Sequence, residues 1–310
     1  MQIIHLTYPL KENLIPGPIV LVLGFFDGVH RGHQQLIKIA QEQAKQKGHP
    51  LVVMTFNGHP KEVYQKAEVT YIDSLNEKAY KMRKLGVDYL LVMHFNDRFS
   101  KLTAQEFVDQ IVVKLQADTV VAGFDYTYGP RAVANMKNFP HFAKGRFDII
   151  EVPQQSYDGQ KIGSTEIKDA IKAGEMALAT ELLGTPYAMT GIVGHGLRNG
   201  HKLGYPTANL VWTEHKVVPK VGVYATKTKL KGKWYDSMTS VGYNVTIQEG
   251  RQIFIESNLF GFDEEAYDQE MVIKWYKYTR GEIKFANLAE LRAQMAKDEA
   301  EIKAYFAHRH

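Results

Sequence analysis

Two histidines in a glycine-rich stretch near the amino terminus have the type and spacing to act on a phosphate. His30 and His33 lie three positions apart in residues 24–33 (GFFDGVHRGH). Residues three apart share one face of a helix, and glycine lets a phosphate approach the backbone closely. Imidazoles at a helix amino terminus can donate hydrogen bonds to phosphate oxygens whose charge grows in a transition state. The pattern favours a nucleotidyl-transfer site over an ordinary turn with solvated histidines.

A second glycine-rich stretch, residues 191–209 (GIVGHGLRNGHKLGYPTAN), lies in the carboxyl-terminal half. Its glycine density predicts a loop whose backbone amides face an anion. After Pro206, Thr207 and Asn209 place two neutral oxygens two residues apart in an extended segment. Such oxygens suit Mg²⁺ when nucleotide phosphates supply further ligands. The residues by themselves slightly favour a simpler alternative, an ordinary glycine-rich hairpin corner.

Continuous apolar runs predict the strands that would position the first site. These runs lie near residues 19–23, 51–54, 89–93, 119–122 and 147–150. Unbroken hydrophobicity indicates strands buried on both faces of a parallel sheet. A helical pattern with Leu36, Ile37 and Ala40 on one face follows the first run and ends near Gly48. We therefore expect a doubly wound α/β sheet with helices on both faces, in which residues 24–33 lie at the carboxyl end of the first strand.

The second site falls in a region with the pattern of antiparallel strands. Residues 222–231 alternate, and a turn is expected at Gly232. Further strands are expected over residues 253–259 and 271–278. One side of the first of these strands carries Tyr224, Thr226, Thr228 and Leu230, and the other carries Lys227, Lys229 and Lys231. These patterns predict a small β-barrel or sandwich.

A helix over residues 287–306 should close this second domain. Its apolar stripe consists of Leu288, Leu291, Met295, Ile302 and Phe306. The domain boundary is expected near Pro186, because proline disfavours helix in the residue before it. The chain is thus expected to form two domains, residues 1–184 and 185–310.

Composition excludes several classes of site and partner. The 310 residues include no cysteine, which excludes disulfides, thiolate metal sites and cysteine nucleophiles and is typical of a reducing compartment. The net charge of +4 is too small and too dispersed to indicate nucleic-acid binding. The first residues lack a signal-peptide pattern, and no apolar run approaches the ~20 residues that span a bilayer. We expect a cytoplasmic monomer or weak homo-oligomer, without membrane or nucleic-acid partners.

The stretch 24–33 resembles the adenylyltransferase signature of bacterial bifunctional FAD synthetases (riboflavin kinase/FMN adenylyltransferase). Residues 56–60 (FNGHP), 123–129 (GFDYTYG) and 163–168 (GSTEIK) are similar to further motifs of that family. Gly58 and Lys168 depart from the family's proline and arginine. Lysine keeps the charge of arginine but lacks its bidentate fork. Ser164 and Thr165 could equally well serve as helix caps.

The second half resembles the riboflavin kinase part of the same family. Residues 206–209 (PTAN) look like its signature, 255–262 (IESNLFGF) like the strand with its catalytic glutamate, and 280–285 (RGEIKF) like a run before the terminal helix. Asn258 and Gly261 replace the usual histidine and aspartate. Residues 244–247 (NVTI) and 200–201 (GH) depart from the pattern as well. These departures leave the proposed metal ligands and base in place.

The resemblance implies a Rossmann-like nucleotidyltransferase domain followed by a riboflavin kinase-like antiparallel β-barrel with a terminal helix. It implies ATP-dependent phosphorylation of riboflavin to FMN, then adenylylation of FMN to FAD plus pyrophosphate, with ATP as co-substrate and Mg²⁺ as cofactor. The alternative is an FMN adenylyltransferase with a weakened or inactive kinase-like barrel.

The resemblance also implies a role for each matching residue. The catalytic residues would be His30, His33 and Glu256, the last as general base, and the metal ligands would be Thr207 and Asn209. ATP and its phosphates would be bound by Gly24, Phe26, Asp27, Gly28, Ser164, Thr165, Lys168, Gly191, Gly196 and Gly204. The flavin would be bound by Phe56, His59, Asp125, Tyr128, Arg280 and Phe285.

One basic run has a structural interpretation. Residues 81–84 (KMRK) superficially resemble a loop of class I aminoacyl-tRNA synthetases, but they lie inside a helical pattern that also contains Lys78 and Leu85. We interpret them as a solvated helix face.

Overall fold

The computed structural model describes residues 1–11, 14–60, 62, 66, 68–195, 205–212, 215–244 and 252–308. The chain forms two compact units, Met1–Ser164 and Thr165–His310. Two helices lie between this division and the domain boundary that we expect after Gly184, and that boundary stays a prediction. Within the described residues, no helix is both long enough and apolar enough to cross a membrane.

The first unit is built around a six-stranded parallel sheet in the order β1-β4-β3-β2-β5-β6. Its strands are β1 (Gln2–Leu6), β2 (Ile19–Leu23), β3 (Leu51–Phe56), β4 (Tyr89–Met93), β5 (Ala117–Gly123) and β6 (Asp148–Val152). A small hairpin follows, made of β7 (Ser156–Tyr157) and β8 (Gln160–Lys161).

The helices of this unit connect the strands. They are α1 (Arg31–Lys47), α2 (Leu75–Lys84), α3 (Asp97–Ser100), α4 (Ala104–Phe107) and α5 (Phe139–Ala143), with a π-helical turn over Val108–Val113 continuing α4. Short 3₁₀ turns span Asp27–Val29 and Met136–Asn138.

Burial confirms the doubly wound fold predicted from the apolar runs. Every residue of β2 is buried, and separate apolar cores cover the two faces of the sheet. Helix α1 buries Leu36, Ile37 and Ala40 and ends at Gly48, which has a left-handed φ of 68°. Strand β1 was not predicted, because it is an edge strand in which only Leu6 is buried.

Among its described residues, the second unit contains three helices and a closed six-stranded antiparallel barrel. Helix α6 (Ser164–Ala173) begins at the last residue of the first unit, and α7 (Met176–Leu183) follows it. The barrel strands are β9 (Tyr187–Gly194), β10 (Ala208–Val211), β11 (Gly222–Leu230), β12 (Lys233–Asn244), β13 (Gln252–Leu259) and β14 (Glu270–Arg280). They close in the order β10-β13-β12-β11-β14-β9, which decides between the predicted barrel and sandwich.

Hydroxyl side chains fill part of the barrel interior. The predicted inner side of β11 is confirmed, since Tyr224, Thr226, Thr228 and Leu230 are all buried. Thr226 and Thr228 share short hydrogen bonds with hydroxyls on β12 and β13, those of Ser237, Thr239 and Ser257. Each of these hydroxyls therefore has a hydrogen-bond partner within the protein, which offsets the free-energy cost of removing it from water.

Helix α8 (Leu288–Ala307) packs on the outside of this barrel. Ile302 and Phe306 are buried against the apolar side chains of β11 and β12, as its stripe predicts. Leu288 was predicted to belong to the same stripe, but it is 69% exposed because it lies in the first turn, beyond the barrel contact. Asp298 takes a buried position on the packed side instead.

Candidate active sites

The turn after β2 has a strained backbone. Phe26 and Val29 have φ values of 58° and 43°, in the left-handed region that side chains other than glycine rarely occupy. Each such residue costs about 1–3 kcal/mol and persists only where its surroundings enforce it. Gly24 is needed here, because a Cβ at that position would lie 2.6 Å from the Phe26 ring.

Hydrogen bonds from three directions hold the turn. The carbonyl oxygens of Phe25, Asp27 and Val29 accept from the Thr55 hydroxyl at 2.7 Å, the Ser164 hydroxyl at 3.0 Å and the Gln34 amide at 2.8 Å, respectively. The buried carboxylate of Asp27 accepts from the backbone N–H of Ile72 at 2.8 Å. The turn is thus fixed before any ligand binds.

The two predicted histidines lie together at the amino terminus of α1. Their rings stack with centroids 3.5 Å apart and 21° between planes. His30 caps the helix, and its Nδ1 accepts from the backbone N–H of His33 at 3.4 Å. When the ring is neutral, its proton is therefore assigned to Nε2, which can donate to a ligand. The His33 ring also contacts the edge of Phe26 at 5.1 Å.

Both imidazoles are neutral at pH 7 in the absence of ligand. Burial is the main cause that lowers the pKa of His30 to about 4, against the opposing charges of Asp27 and Asp125. Burial also lowers the pKa of His33 well below its ordinary value, and the positive charges of Lys78 and Lys81 act in the same direction. Each ring then offers one N–H donor.

Two lysines of α2, which the sequence analysis did not assign to the site, contact this turn. Lys78 is 4% exposed, and its ammonium donates to the Phe25 carbonyl at 2.8 Å. Lys81 donates to the Gly28 carbonyl at 3.0 Å and to Asp73 at 2.8 Å. The solvated-face interpretation is wrong for this side of α2, although Arg83 and Lys84 are exposed as expected.

A sequence signal for Lys78 and Lys81 did exist. Ala79 and Met82 are apolar, lie next to these lysines and are buried on the inner side of α2. A lysine pair interleaved with an apolar stripe is a pattern that indicates buried stems and positioned ammonium groups.

Other residues with predicted roles surround the turn at different depths. His59 contacts the Phe25 ring at 5.0 Å, and its backbone N–H donates to the Tyr71 hydroxyl. Phe56, in contrast, packs among core aromatics, with Phe95 at 5.5 Å. Asp125 pairs with Lys161 at 3.4 Å in a partly exposed position.

Tyr128 is built into the aromatic core. Its ring lies 4.7 Å from Phe139 and 5.3 Å from Phe107. Its hydroxyl is buried without a hydrogen-bond partner among the described residues. Thr165 and Lys168 belong to the second compact unit, and their binding roles stay predictions.

In the second unit, strand register brings the predicted kinase residues together. Asn209 on β10 lies directly opposite Glu256 on β13, and such partners project on the same face of a sheet. Ser257 points into the barrel, so Glu256, one residue earlier, lies on the outer face. Thr207 lies two residues before Asn209, just ahead of β10. Asn209 and Glu256 therefore face one another on the outer surface, and Thr207 is close to Asn209 along the chain. We name these three residues the kinase corner.

The surroundings of Glu256 alter the proton affinity of its carboxyl. Its side chain is half-buried, and burial raises the pKa of its carboxyl above the ordinary value. Asn258, which departs from the family pattern, donates from its side-chain amide to the Pro206 carbonyl at 2.7 Å. That bond ties β13 to the segment that carries Thr207.

The structure describes one of the three glycines that were predicted to bind phosphate in the second site. Gly191 has a structural reason to be glycine, since a Cβ there would lie 2.2 Å from the Val211 carbonyl oxygen, and its predicted phosphate role stays untested. Gly196 and Gly204 lie outside the described residues.

Arg280 is engaged in an ion pair. Its guanidinium forms a forked contact with the buried carboxylate of Asp298 on α8, with nitrogen–oxygen distances of 2.7 to 3.1 Å. Its Nη1 also donates to the Gly281 carbonyl. Phe285 is half-buried in the segment between β14 and α8. The flavin roles of both residues stay predictions.

Both units match families of known proteins. A family model described as FAD synthetase matches residues 13–166, and one described as riboflavin kinase matches residues 183–306. The bifunctional riboflavin kinase/FMN adenylyltransferase of Listeria monocytogenes is 44% identical over 310 residues, covering 99% of both chains. Its counterpart in Bacillus subtilis is 39% identical with the same coverage.

A solved structure shares the fold over almost the whole chain. A crystal structure from Streptococcus pneumoniae, described as a macrolide-efflux protein, is 35% identical and superposes with a TM-score of 0.89. The match covers 96% of this chain and 98% of the other.

Proposed function

This chain belongs to the family of bifunctional riboflavin kinases/FMN adenylyltransferases, and from that membership we propose which of its residues carry each reaction. The enzyme phosphorylates riboflavin to FMN with ATP. It then adenylylates FMN with ATP, which gives FAD and pyrophosphate.

Adenylyl transfer is assigned to the turn after β2. A phosphate oxygen of FMN attacks the α-phosphorus of ATP, and the bond from that phosphorus to the bridging oxygen breaks to release pyrophosphate. His30 and His33 donate hydrogen bonds to the α-phosphate oxygens as negative charge grows on them. Because the rings stand on a rigid turn, the donors need little reorganisation during the reaction.

The remaining residues of the first unit take supporting roles. Gly24, Phe26 and Gly28 shape the backbone that receives the phosphates, while Asp27 orients the nucleotide. Ser164 extends the phosphate site of this unit. The phosphate-binding roles of Thr165 and Lys168, which belong to the second unit, are proposed from the family resemblance alone. Phe56, His59, Asp125 and Tyr128 form the flavin side, with His59 and Asp125 nearer to the turn and Tyr128 supporting from the core.

Phosphorylation of riboflavin is assigned to the kinase corner. The 5′-hydroxyl oxygen of riboflavin attacks the γ-phosphorus of ATP, its proton passes to Glu256, and ADP leaves. Burial raises the pKa of the Glu256 carboxyl, which makes it a stronger proton acceptor than an exposed glutamate. Gly191, Gly196 and Gly204 would serve the phosphates of this ATP, and Arg280 and Phe285 would lie on the flavin side.

The donor set at the kinase corner fits Mg²⁺. Thr207 and Asn209 offer neutral oxygens, and among the described residues no group of three or more histidines and carboxylates could hold a metal. Mg²⁺ accepts few protein ligands when nucleotide phosphates and water complete its shell. When bound, the ion would neutralise phosphate charge.

The observation that carries this proposal is that each unit has its own cluster, the stacked histidines in one and the opposed Asn209 and Glu256 in the other. The test is a time course with riboflavin, ATP and Mg²⁺, followed by chromatography of the flavins. We expect FMN to form first and FAD to follow, and we expect EDTA to stop riboflavin phosphorylation. Conversion of added FMN to FAD without phosphorylation of riboflavin would instead favour the adenylyltransferase with an inactive barrel.

A further inference from the structure

Helix α2 holds the adenylyl-transfer turn through two ammonium groups. Lys78 and Lys81 are three residues apart and lie on one side of the helix. Lys78 donates to the Phe25 carbonyl at 2.8 Å, and Lys81 donates to the Gly28 carbonyl at 3.0 Å. The two bonds thus reach the beginning and the middle of the turn.

These contacts coincide with the strained backbone. Phe26 and Val29 are the non-glycine residues of the turn in left-handed conformation, and each directly follows a residue whose carbonyl accepts from a lysine. Fixing the carbonyl of Phe25 and that of Gly28 restricts the peptide planes that lead into these residues. The lysines therefore oppose relaxation of the strain where it is stored.

Further contacts fix the lysines themselves. The Lys78 ammonium also donates to the Thr55 hydroxyl at 3.2 Å and lies 4.5 Å from the centre of the Phe25 ring. The Lys81 ammonium pairs with the largely buried carboxylate of Asp73 at 2.8 Å. An ammonium with several fixed partners is a positioned charge rather than a mobile surface group.

The charge is placed where water screens it little. Lys78 is 4% exposed, and burial lowers its pKa to about 8 against the opposing effect of Asp27 and Asp73. It is thus mostly protonated at pH 7. Charges interact more strongly in such surroundings than in water.

We propose that Lys78 and Lys81 are positioning residues for adenylyl transfer, which hold the turn in its phosphate-binding conformation and place fixed positive charge beneath the nucleotide phosphates. The inference rests on the function proposed above for the turn. It adds α2 to the elements that position the turn and the start of α1.

The test uses Lys81, because it is less buried than Lys78. Lys81→Met keeps the stem but removes the donor and its charge. Lys81→Arg restores a charged donor that can reach a carbonyl and a carboxylate. Lys84→Met is the matched control, since Lys84 lies on the same helix but is exposed.

We expect Lys81→Met to lower the kcat for FAD formation from FMN by about 10- to 100-fold, because small displacements of reacting groups have effects of this size. Lys81→Arg should recover that rate to within about fivefold, and Lys84→Met should match the wild type. Riboflavin phosphorylation by the same preparations should be unchanged, which controls for the amount of intact second unit. Far-UV circular dichroism of each variant checks that the first unit is folded.

Two results would overturn the inference. One is a wild-type rate of FAD formation in Lys81→Met, and the other is an equal loss in Lys81→Arg and Lys81→Met, which would indicate packing rather than a charged donor. The proposed role of the turn is tested separately by His33→Ala. If that variant formed FAD at the wild-type rate, the assignment of the turn itself would fail.

Discussion

At the adenylyl-transfer turn, the environment of the histidines controls their charge. The His30 ring is buried and stacked on His33, so a proton on either ring would be poorly solvated and would repel one on the other. Charge then develops on the phosphate while the donors stay fixed.

Burial of His30 has a consequence for stability. Its pKa is about 4 in the folded protein and about 6.5 in the unfolded chain, so the unfolded state binds this proton first as the pH falls. Above pH 6.5, His30 is neutral in both states and the free energy of unfolding is not reduced by this group. Between pH 6.5 and 4, the free energy of unfolding should fall by up to about 1.4 kcal/mol per pH unit from this group.

Urea unfolding at pH 7 and pH 5, followed by far-UV circular dichroism, measures this effect in the wild type and in His30→Asn. The variant should lose less stability between the two pH values. All three tryptophans, Trp212, Trp234 and Trp275, lie in the second unit, so their fluorescence is the control and should change equally in both proteins. Equal loss in the circular dichroism signal would contradict the assigned protonation state.

Glu256 should carry the proton in the kinase reaction. Glu256→Gln keeps the shape of the side chain but cannot accept a proton, so riboflavin phosphorylation should fall by about 10²- to 10⁴-fold. In the wild type, kcat/KM should rise with pH through the raised pKa of this carboxyl. Steady-state assays at several pH values measure both effects.

The control for this variant is Glu270→Gln, which replaces an exposed glutamate at the start of β14. FAD formation from added FMN should stay unchanged in both variants. Full kinase activity in Glu256→Gln would exclude this residue as the base.

At the scale of elements, helix α8 is attached to the barrel by one buried ion pair. Asp298 is 2% exposed. Its carboxylate accepts hydrogen bonds from the Arg280 guanidinium and, at 2.8 Å, from the side-chain amide of Gln294. Removing one member of a buried pair leaves the other charge uncompensated. The pair therefore couples the end of β14 to the helix that packs on β11 and β12.

Asp298→Ala should lower the stability of the second unit by about 3 kcal/mol. Glu301→Ala, which removes an exposed pair with Lys277 on the same helix, should cost less than about 1 kcal/mol. Urea unfolding followed by tryptophan fluorescence compares the two, since Trp275 is fully buried in the barrel. Equal effects of the two variants would show that the Arg280 pair is not a structural anchor.

Hydrophobic patterning predicts most of these elements, because it reflects burial. The run at Ile19–Leu23 and the alternation of β11 predict strands, and both are confirmed. Contacts that depend on how distant strands meet could not be predicted in this way. The hydrogen bond between Thr228 and Ser257, for example, depends on closure of the barrel.

The sites show the same limit. Spacing alone predicts that His30 and His33 lie together, because both belong to one helical turn. The meeting of Asn209 and Glu256 depends on strand register, and the contact of Lys81 with Gly28 depends on packing of α2 against the turn. The apolar neighbours of Lys81 indicate that its stem is buried, but they do not indicate which carbonyl its ammonium contacts.

At the scale of the whole molecule, the proposed function assigns one reaction to each of two compact units. Each histidine or glutamate assigned above belongs to one unit only. We therefore expect FMN to leave one site as product and to be taken up from solution by the second site, on the same chain or on another.

Mixing two inactive variants tests this central claim most directly. His33→Ala should convert riboflavin to FMN and stop, whereas Glu256→Gln should convert FMN to FAD but leave riboflavin unused. With riboflavin, ATP and Mg²⁺, neither variant alone should form FAD at an appreciable rate, and an equimolar mixture should form it, as measured by chromatography of the flavins. Failure of the mixture to form FAD, while each variant keeps its single activity, would contradict two sites that exchange FMN through solution.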